Sequence, residues 1–189
     1  MALAQLAPVV ALVVLLIAAP LQAEEQPQLL PTRDVDIIYR LTRPHQPKMD
    51  ERVRWSAGAH LERVDGSDGS ATIFDRNTNE ITLIIPKTRT YRKLEGEPRG
   101  PIEPEKGAVL TRGGDSKVSG FPCTDWSWAD EGETHTVCVS PDGVPLRLAV
   151  DGNTVVEARS VTYHKQKPEL FDVPPGYTPA LAPEGSTGP

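Results

Sequence analysis

The chain has 189 residues and a formal net charge of −6, with 20 Lys and Arg against 26 Asp and Glu, and only two cysteines. The acidic balance argues against nucleic acid, which needs a basic footprint, and gives no sign of attraction to anionic lipid surfaces. The length fits one folded domain; once the apolar first 23 residues are set aside, about a third of the rest is apolar, and adding glycine still leaves it below the roughly 45–50% of globular domains, so a thin core is expected, as in an open sheet or around a cavity.

Residues 1–23 (MALAQLAPVVALVVLLIAAPLQA) contain no charged side chain. The apolar run Leu6 to Ala19, broken only by Pro8, is shorter than the about 20 residues a bilayer span needs. It reads as a secretory signal ending at Ala23, which implies export to the periplasm and an oxidising compartment. No transmembrane segment is expected after its cleavage. An amino-terminal membrane anchor is the alternative, since no Lys or Arg precedes the run. Residues 24–33 read as a linker, and the folded domain as 34–178.

Within that domain strand signals dominate, and no helical periodicity extends beyond about a dozen residues. Val35, Ile37, Tyr39 and Leu41 make one apolar face of Asp34–Leu41, and Arg52–Trp55 alternates the same way, which places Arg40, Arg52 and Arg54 on outward faces. Ala71–Phe74 and Ile81–Ile85 flank the turn-like Asp75–Asn79, and Thr90–Leu94 follows. Glu95–Ser116 is rich in Gly, Pro and charge and reads as a long loop, a linker or a lid, with a short helical turn at Glu103–Val109. Then come Lys117–Trp128, Glu133–Val139, Leu146–Val150 and Val155–His164, the last three separated by Pro141-Asp142-Gly143 and Asp151-Gly152-Asn153. Turn signals at this spacing argue for a mainly β, antiparallel fold with few or no long helices. The tail 179–189 reads as disordered.

In an exported protein, Cys123 and Cys138 first suggest a disulfide. If they face each other across a hairpin, its centre falls between Asp130 and Glu131, beside Gly132, and opposed Cα atoms lie within disulfide range. That register sets Trp126 opposite His135, Trp128 opposite Glu133 and Thr124 opposite Val137, with the disulfide on the other face. A zinc site and a catalytic thiol are the alternatives. The four histidines (His45, His60, His135, His164) are scattered, none at a ligand spacing from a Cys, and His135 points away from Cys138 on an extended strand. No Gly-rich phosphate loop, G-x-S-x-G or Ser–His arrangement is present, so neither enzyme activity nor a metal or cofactor is expected.

The ordered segments VDIIYRL, TIFDRNTNEITLIIPKTRTYRKL, GFPCTDWSW, HTVCVSPDGVPLRL and VVEARSVTYHKQKPELFDVPPGY resemble an uncharacterised family of exported bacterial β-rich proteins, itself distantly similar to the LolA/LolB-like lipoprotein carrier group and to domains of envelope-stress regulators. The resemblance covers about Asp34 to Tyr177 and implies a single strongly curved antiparallel sheet, a half-barrel with an apolar concave side. The expected function is a non-enzymatic periplasmic binding protein holding an apolar or lipidic ligand, a lipid or lipoprotein acyl chain. The expected lining is Ile37, Tyr39, Trp55, Ile81, Leu83, Trp126, Trp128, Leu146 and Leu148. The alternative is a structural or protein-interaction module of the cell envelope, with a protein partner and no small ligand.

Overall fold

The computed structural model describes residues 26–96, 102–105 and 107–180; the expected signal, and the tail from 181 onward, lie outside the described residues. The described chain is one open sheet of twelve strands. They are β1 (Val35–Leu41), β2 (Met49–Ser56), β3 (Leu61–Asp65), β4 (Ala71–Asp75), β5 (Glu80–Ile85), β6 (Thr90–Glu95), β7 (Thr111–Val118), β8 (Phe121–Asp130), β9 (Glu133–Val139), β10 (Pro145–Val150), β11 (Asn153–Tyr163) and β12 (Thr178–Pro179). Their order across the sheet is β12-β6-β5-β4-β3-β2-β1-β11-β10-β9-β8-β7. All pairs are antiparallel except the two-residue β12, which runs parallel to β6. Among the described residues the only helical element is a 3-10 turn, Pro168–Phe171, and no helix is long and apolar enough to cross a membrane.

Three hairpins close with two residues of positive φ: Ser119-Gly120, Glu131-Gly132 and Asp151-Gly152. This type I′ geometry matches the strand twist. The first splits the expected strand Lys117–Trp128 into the end of β7 and the start of β8. Three strands stand where none is expected from the sequence: β3, between the anticipated second and third; β7, whose Thr111–Ser116 part falls in the expected loop; and β12, through which Pro179 and Ala180, expected in the disordered tail, pair with Tyr91 of β6. Irregularities in register occur between β1 and β11, β10 and β11, β9 and β10, and β7 and β8. Such bulges raise local twist and bend a sheet.

The bent sheet has an inner and an outer face, which register identifies. Directly opposed residues share a face, so one inner row runs Val35–Trp55–Glu62–Phe74–Ile81–Leu94. Another runs Leu41–Val156–Leu148–Val137–Trp126. The main core lies on this face and joins β1, β2 and β8–β11, with Val35, Val137, Leu146 and Ala158 fully buried. A second, smaller core lies on the outer face of β3–β6. There Ala71, Ile73 and Ile84 are covered by Phe171, with Leu170, Val173 and Tyr177 packed around them. The carboxy-terminal stretch is thus a strap across the back of the sheet. Arg40 and Arg52 are on the outer face as expected, paired with Asp50 and Asp36; Arg54 is there too, but largely buried beside Asp65.

Cys123 and Cys138 form a disulfide with a Cα–Cα distance of 5.4 Å. The expected register is two residues off. Cys138 pairs with Asp125, so the bond runs diagonally; Trp126 faces Val137, and Trp128 faces His135. A shift of two preserves the faces, and the disulfide sits on the outer side beneath the Arg147–Asp125 ion pair (3.0 Å). Glu131-Gly132 explains the slip. A type I′ turn prefers Gly at its second central position, and that preference, not direct cysteine opposition, fixes the pairing.

Candidate functional site

The inner face changes character from one half of the sheet to the other. Of the nine expected lining residues, Ile37, Tyr39, Trp55, Trp126, Trp128, Leu146 and Leu148 are all buried in the main core. Ile81 and Leu83 are on the same face by register but only half-buried, as are their neighbours Val64 and Phe74, while Leu94 is 40% exposed.

Two irregular segments cover the closed half. The stretch expected as a linker is docked: Leu29 and Leu30 pack on the core, the Trp55 indole N–H donates to the Pro31 carbonyl (2.7 Å), and the Thr32 N–H donates to the Asp142 carbonyl (2.9 Å). Part of the expected long loop is docked too. Ile102 and Leu110 are buried at 3% and 4% exposure, and the Leu110 backbone exchanges two hydrogen bonds with the Gln26 amide. Residues 102–105 and 107–110 lie over this part of the inner face. Among the described residues here, 102 and 107 are turns, and none is helical, unlike the expectation for Glu103–Val109.

This cover is pinned by a buried ionic triad. Arg76, in the β4–β5 turn, donates to Glu62 of β3 (2.6 Å) and to Glu103 of the covering segment (Nη1 to Oε2, 3.1 Å), and its guanidinium lies 5.6 Å from the Trp55 ring centre. All three side chains are under a fifth exposed. Burial pushes the Glu62 carboxyl above the usual carboxylate range, against the pull of Arg76. Burial works to lower Arg76, but Glu103 and Glu62 overcome it and the net effect is a rise. Burial also raises Tyr39, whose hydroxyl donates to the Pro145 carbonyl (2.6 Å). Around the triad lies a cavity of about 40 Å³ lined by Leu29, Ile37, Tyr39, Val53, Trp55 and Ile102, among others. That is room for a few waters, not for a ligand of several hundred Å³.

Nothing in the sequence pattern joins Glu62, Arg76 and Glu103 as partners. Glu62 occupies an inward position where alternation calls for an apolar residue, and Arg76 hides in the polar turn cluster 75–79. On the far side of the cover, Trp128 and His135 stack at 5.1 Å. His135 is on the inner face, away from the disulfide. Among the described residues no group of three or more His, Cys, Asp or Glu is arranged to hold a metal ion.

No family model and no curated protein matches the chain. The fold is shared. An uncharacterized conserved protein from Thermus thermophilus superposes with TM-score 0.59 at 12% identity, over 79% of this chain and 90% of that one. MucB, in its complex with MucA(peri), superposes with TM-score 0.51 at 13% identity over 79% of this chain, which spans 57% of MucB; the Pseudomonas aeruginosa MucA/MucB complex gives 0.50. A LolA superfamily protein from Nitrosomonas europaea aligns over 77% of this chain and 92% of its own at 9% identity, with a TM-score of 0.36, too low to add weight. At these identities the likeness is one of fold.

Proposed function

We propose that this is a non-enzymatic, exported module of the bacterial cell envelope that holds an apolar or lipidic ligand on the open half of its inner face. The observation that supports this reading is the continuation of the apolar face beyond the closed core. Phe74, Ile81, Leu83 and Leu94 form a half-exposed surface contiguous by register with Trp55 and Val53, and apolar surface of this kind commonly marks a binding site. The expected site is thereby narrowed from nine residues to Ile81 and Leu83 with new neighbours. An acyl chain laid there would meet the covering segment, so entry deeper than the open half requires residues 102–105 and 107–110 to move. Native purification, lipid extraction and mass spectrometry test the reading, together with uptake of a fluorescent fatty acid. Ile81→Asp and Leu83→Asp should each lower uptake about tenfold or more, since a charge opposes an apolar contact. A ligand-free protein that takes up no fatty acid refutes it.

The cavity around the triad is small, and the larger cleft beside Gln26, Arg112 and Trp126 (about 420 Å³) is mostly polar, which favours a second reading, an interaction module for another envelope protein with no small ligand. MucB, of the same fold, is found in complex with MucA(peri). A co-purifying protein whose binding is lost in the same two variants would support that reading over the first.

A further inference from the structure

Three hairpin turns stand in a row at one end of the sheet. Residues 42–48 join β1 to β2, 66–70 join β3 to β4, and 86–89 join β5 to β6. Leu41 pairs with Met49, Asp65 with Ala71 and Ile85 with Thr90, and the intervening ladders put these three pairs at the same end. With about 4.8 Å between strands, the row spans about 20 Å. It carries Arg43, Lys48, Lys87 and Arg89, all exposed and without an ion pair among the described residues, and one acid, Asp68. The Asp68 carboxylate is already engaged by the Ser70 backbone N–H (3.0 Å) and hydroxyl. Of the nearest strand acids, Asp50 is neutralised by Arg40 (2.7 Å), and Asp65 by Arg54 (3.0 Å) and Arg63 (2.7 Å), while Glu51, on the inner side of β2, has no ion pair among the described residues.

The β5–β6 hairpin is itself polarised. From Ile81 to Leu94 it holds four cations and no acid. Its acids, Glu80 and Glu95, face each other at the opposite end, about 17 Å from the tip, which is twice the screening length of about 8 Å at physiological salt. Ile85, at the tip, is 37% exposed. The turns 131–132 and 151–152 of the β8–β11 half end on this side as well, and there Asp130, Glu131, Glu133 and Asp151 gather. One end of the sheet thus carries an acidic half-rim and a basic one, which the net charge of −6 for the whole chain does not reveal.

We propose that the basic half-rim, Arg43, Lys48, Lys87 and Arg89 with Ile85 beside them, seats the protein on an anionic lipid bilayer. A row of projecting turn tips fits a flat charged surface. An extended acidic peptide needs a groove or an unpaired strand edge, and these cations lie at strand ends, across the sheet rather than along an edge. Each cation near such a surface strengthens binding about fivefold, and the attraction is screened by salt. The acidic half-rim sets the orientation, turning β8–β11 away from the lipid. Seating of this kind is independent of the ligand reading: a protein with no internal ligand would seat in the same way.

The test is co-sedimentation of the full exported chain with vesicles of phosphatidylglycerol and phosphatidylcholine (1:1) and with phosphatidylcholine alone, at low and high salt. Binding should favour the anionic vesicles and weaken with salt. Arg43→Gln/Lys48→Gln/Lys87→Gln/Arg89→Gln should bind roughly five-hundredfold more weakly, and Lys87→Gln/Arg89→Gln, a smaller change kept in case the fourfold variant folds poorly, about twentyfold. Equal binding to both vesicle types overturns the proposal, as does undiminished binding by a folded variant. Capture of a polyglutamate peptide without capture of vesicles also overturns it, in favour of an acidic protein partner.

Discussion

Replacing Arg76 by Met tests whether the triad holds the inner face together. At an effective dielectric of about 20, charges about 4 Å apart attract by about 4 kcal/mol, which offsets much of the cost of burying Glu62. Glu103 belongs to the covering segment and can turn toward water once Arg76 is gone. Glu62 cannot, because β3 is paired on both sides. Breaking such a buried pair typically costs about 3–5 kcal/mol, or a fall in melting temperature on the order of 10 °C for a chain of this size. The pH dependence is the sharper signature. With Arg76 removed, nothing opposes the upward push of burial, to which the nearby Glu103 charge adds, so the Glu62 folded pKa lies well above the unfolded value of about 4.3. A group raised in the folded state favours folding below the unfolded pKa, and that contribution is lost as pH rises through the folded pKa. Urea unfolding should therefore show the variant's deficit largest near pH 7.5 and shrinking toward pH 5. Arg76→Met/Glu62→Gln should recover part of the loss at pH 7.5 and abolish the pH dependence. A deficit below about 1 kcal/mol, or one equal at both pH values, would refute the account.

Two further perturbations probe the supports of the fold. Removing the disulfide with Cys123→Ala/Cys138→Ala opens a 15-residue loop, and the chain-entropy account expects a loss of about 3 kcal/mol in urea unfolding. Recovery of the wild-type midpoint would mean that packing of β8 on β9 is sufficient alone. Gly143 has φ of 88°, and a Cβ there would lie 2.3 Å from the Leu30 carbonyl oxygen. Gly143→Ala should destabilise by roughly 1–3 kcal/mol and release residues 26–33, seen as faster amide exchange at Thr32. Unchanged protection at Thr32 would show that the docked segment does not depend on that close approach.

Where one face meets the core and the other meets solvent, the sequence is transparent. The alternation of Val35, Ile37, Tyr39 and Leu41 marks β1 because its inward positions are all apolar. β3 escapes notice because its inward positions are Glu62 and Val64. A buried ion pair occupies a place that periodicity assigns to a hydrophobe, and Arg76 stands 14 residues from Glu62 and 27 from Glu103. β7 escapes because an edge strand with Gly113-Gly114 buries almost nothing until Val118. The cysteines are legible as partners but not their register, since their pairing constrains distance and the turn at Glu131-Gly132 constrains register. The apolar face is legible as a face. Which half of it is closed depends on the irregular segments 26–33 and 102–105 with 107–110, whose docking has no periodic signature.

The open half can remain open because its other side is closed. A sheet needs apolar burial on at least one face to be stable in water, and β3–β6 obtain theirs from Phe171, Leu170, Val173 and Tyr177 on the outer side. β8–β11 obtain theirs on the inner side, under the two covering segments. With the outer side buried under the carboxy-terminal strap, Phe74, Ile81, Leu83 and Leu94 can stay half-exposed on the inner side, where the proposed ligand would lie. The same half carries the basic turns, so the tips of β5 and β6 bring the half-open face and the cationic rim together: Leu83 lies two residues from Ile85, and Arg92 pairs with Leu83 on the inner side. A charge sum over the whole chain hides this arrangement, because attraction to an anionic surface is set by the cations within a screening length of it, and the compensating acids stand at the far ends of the strands or on the opposite half-rim.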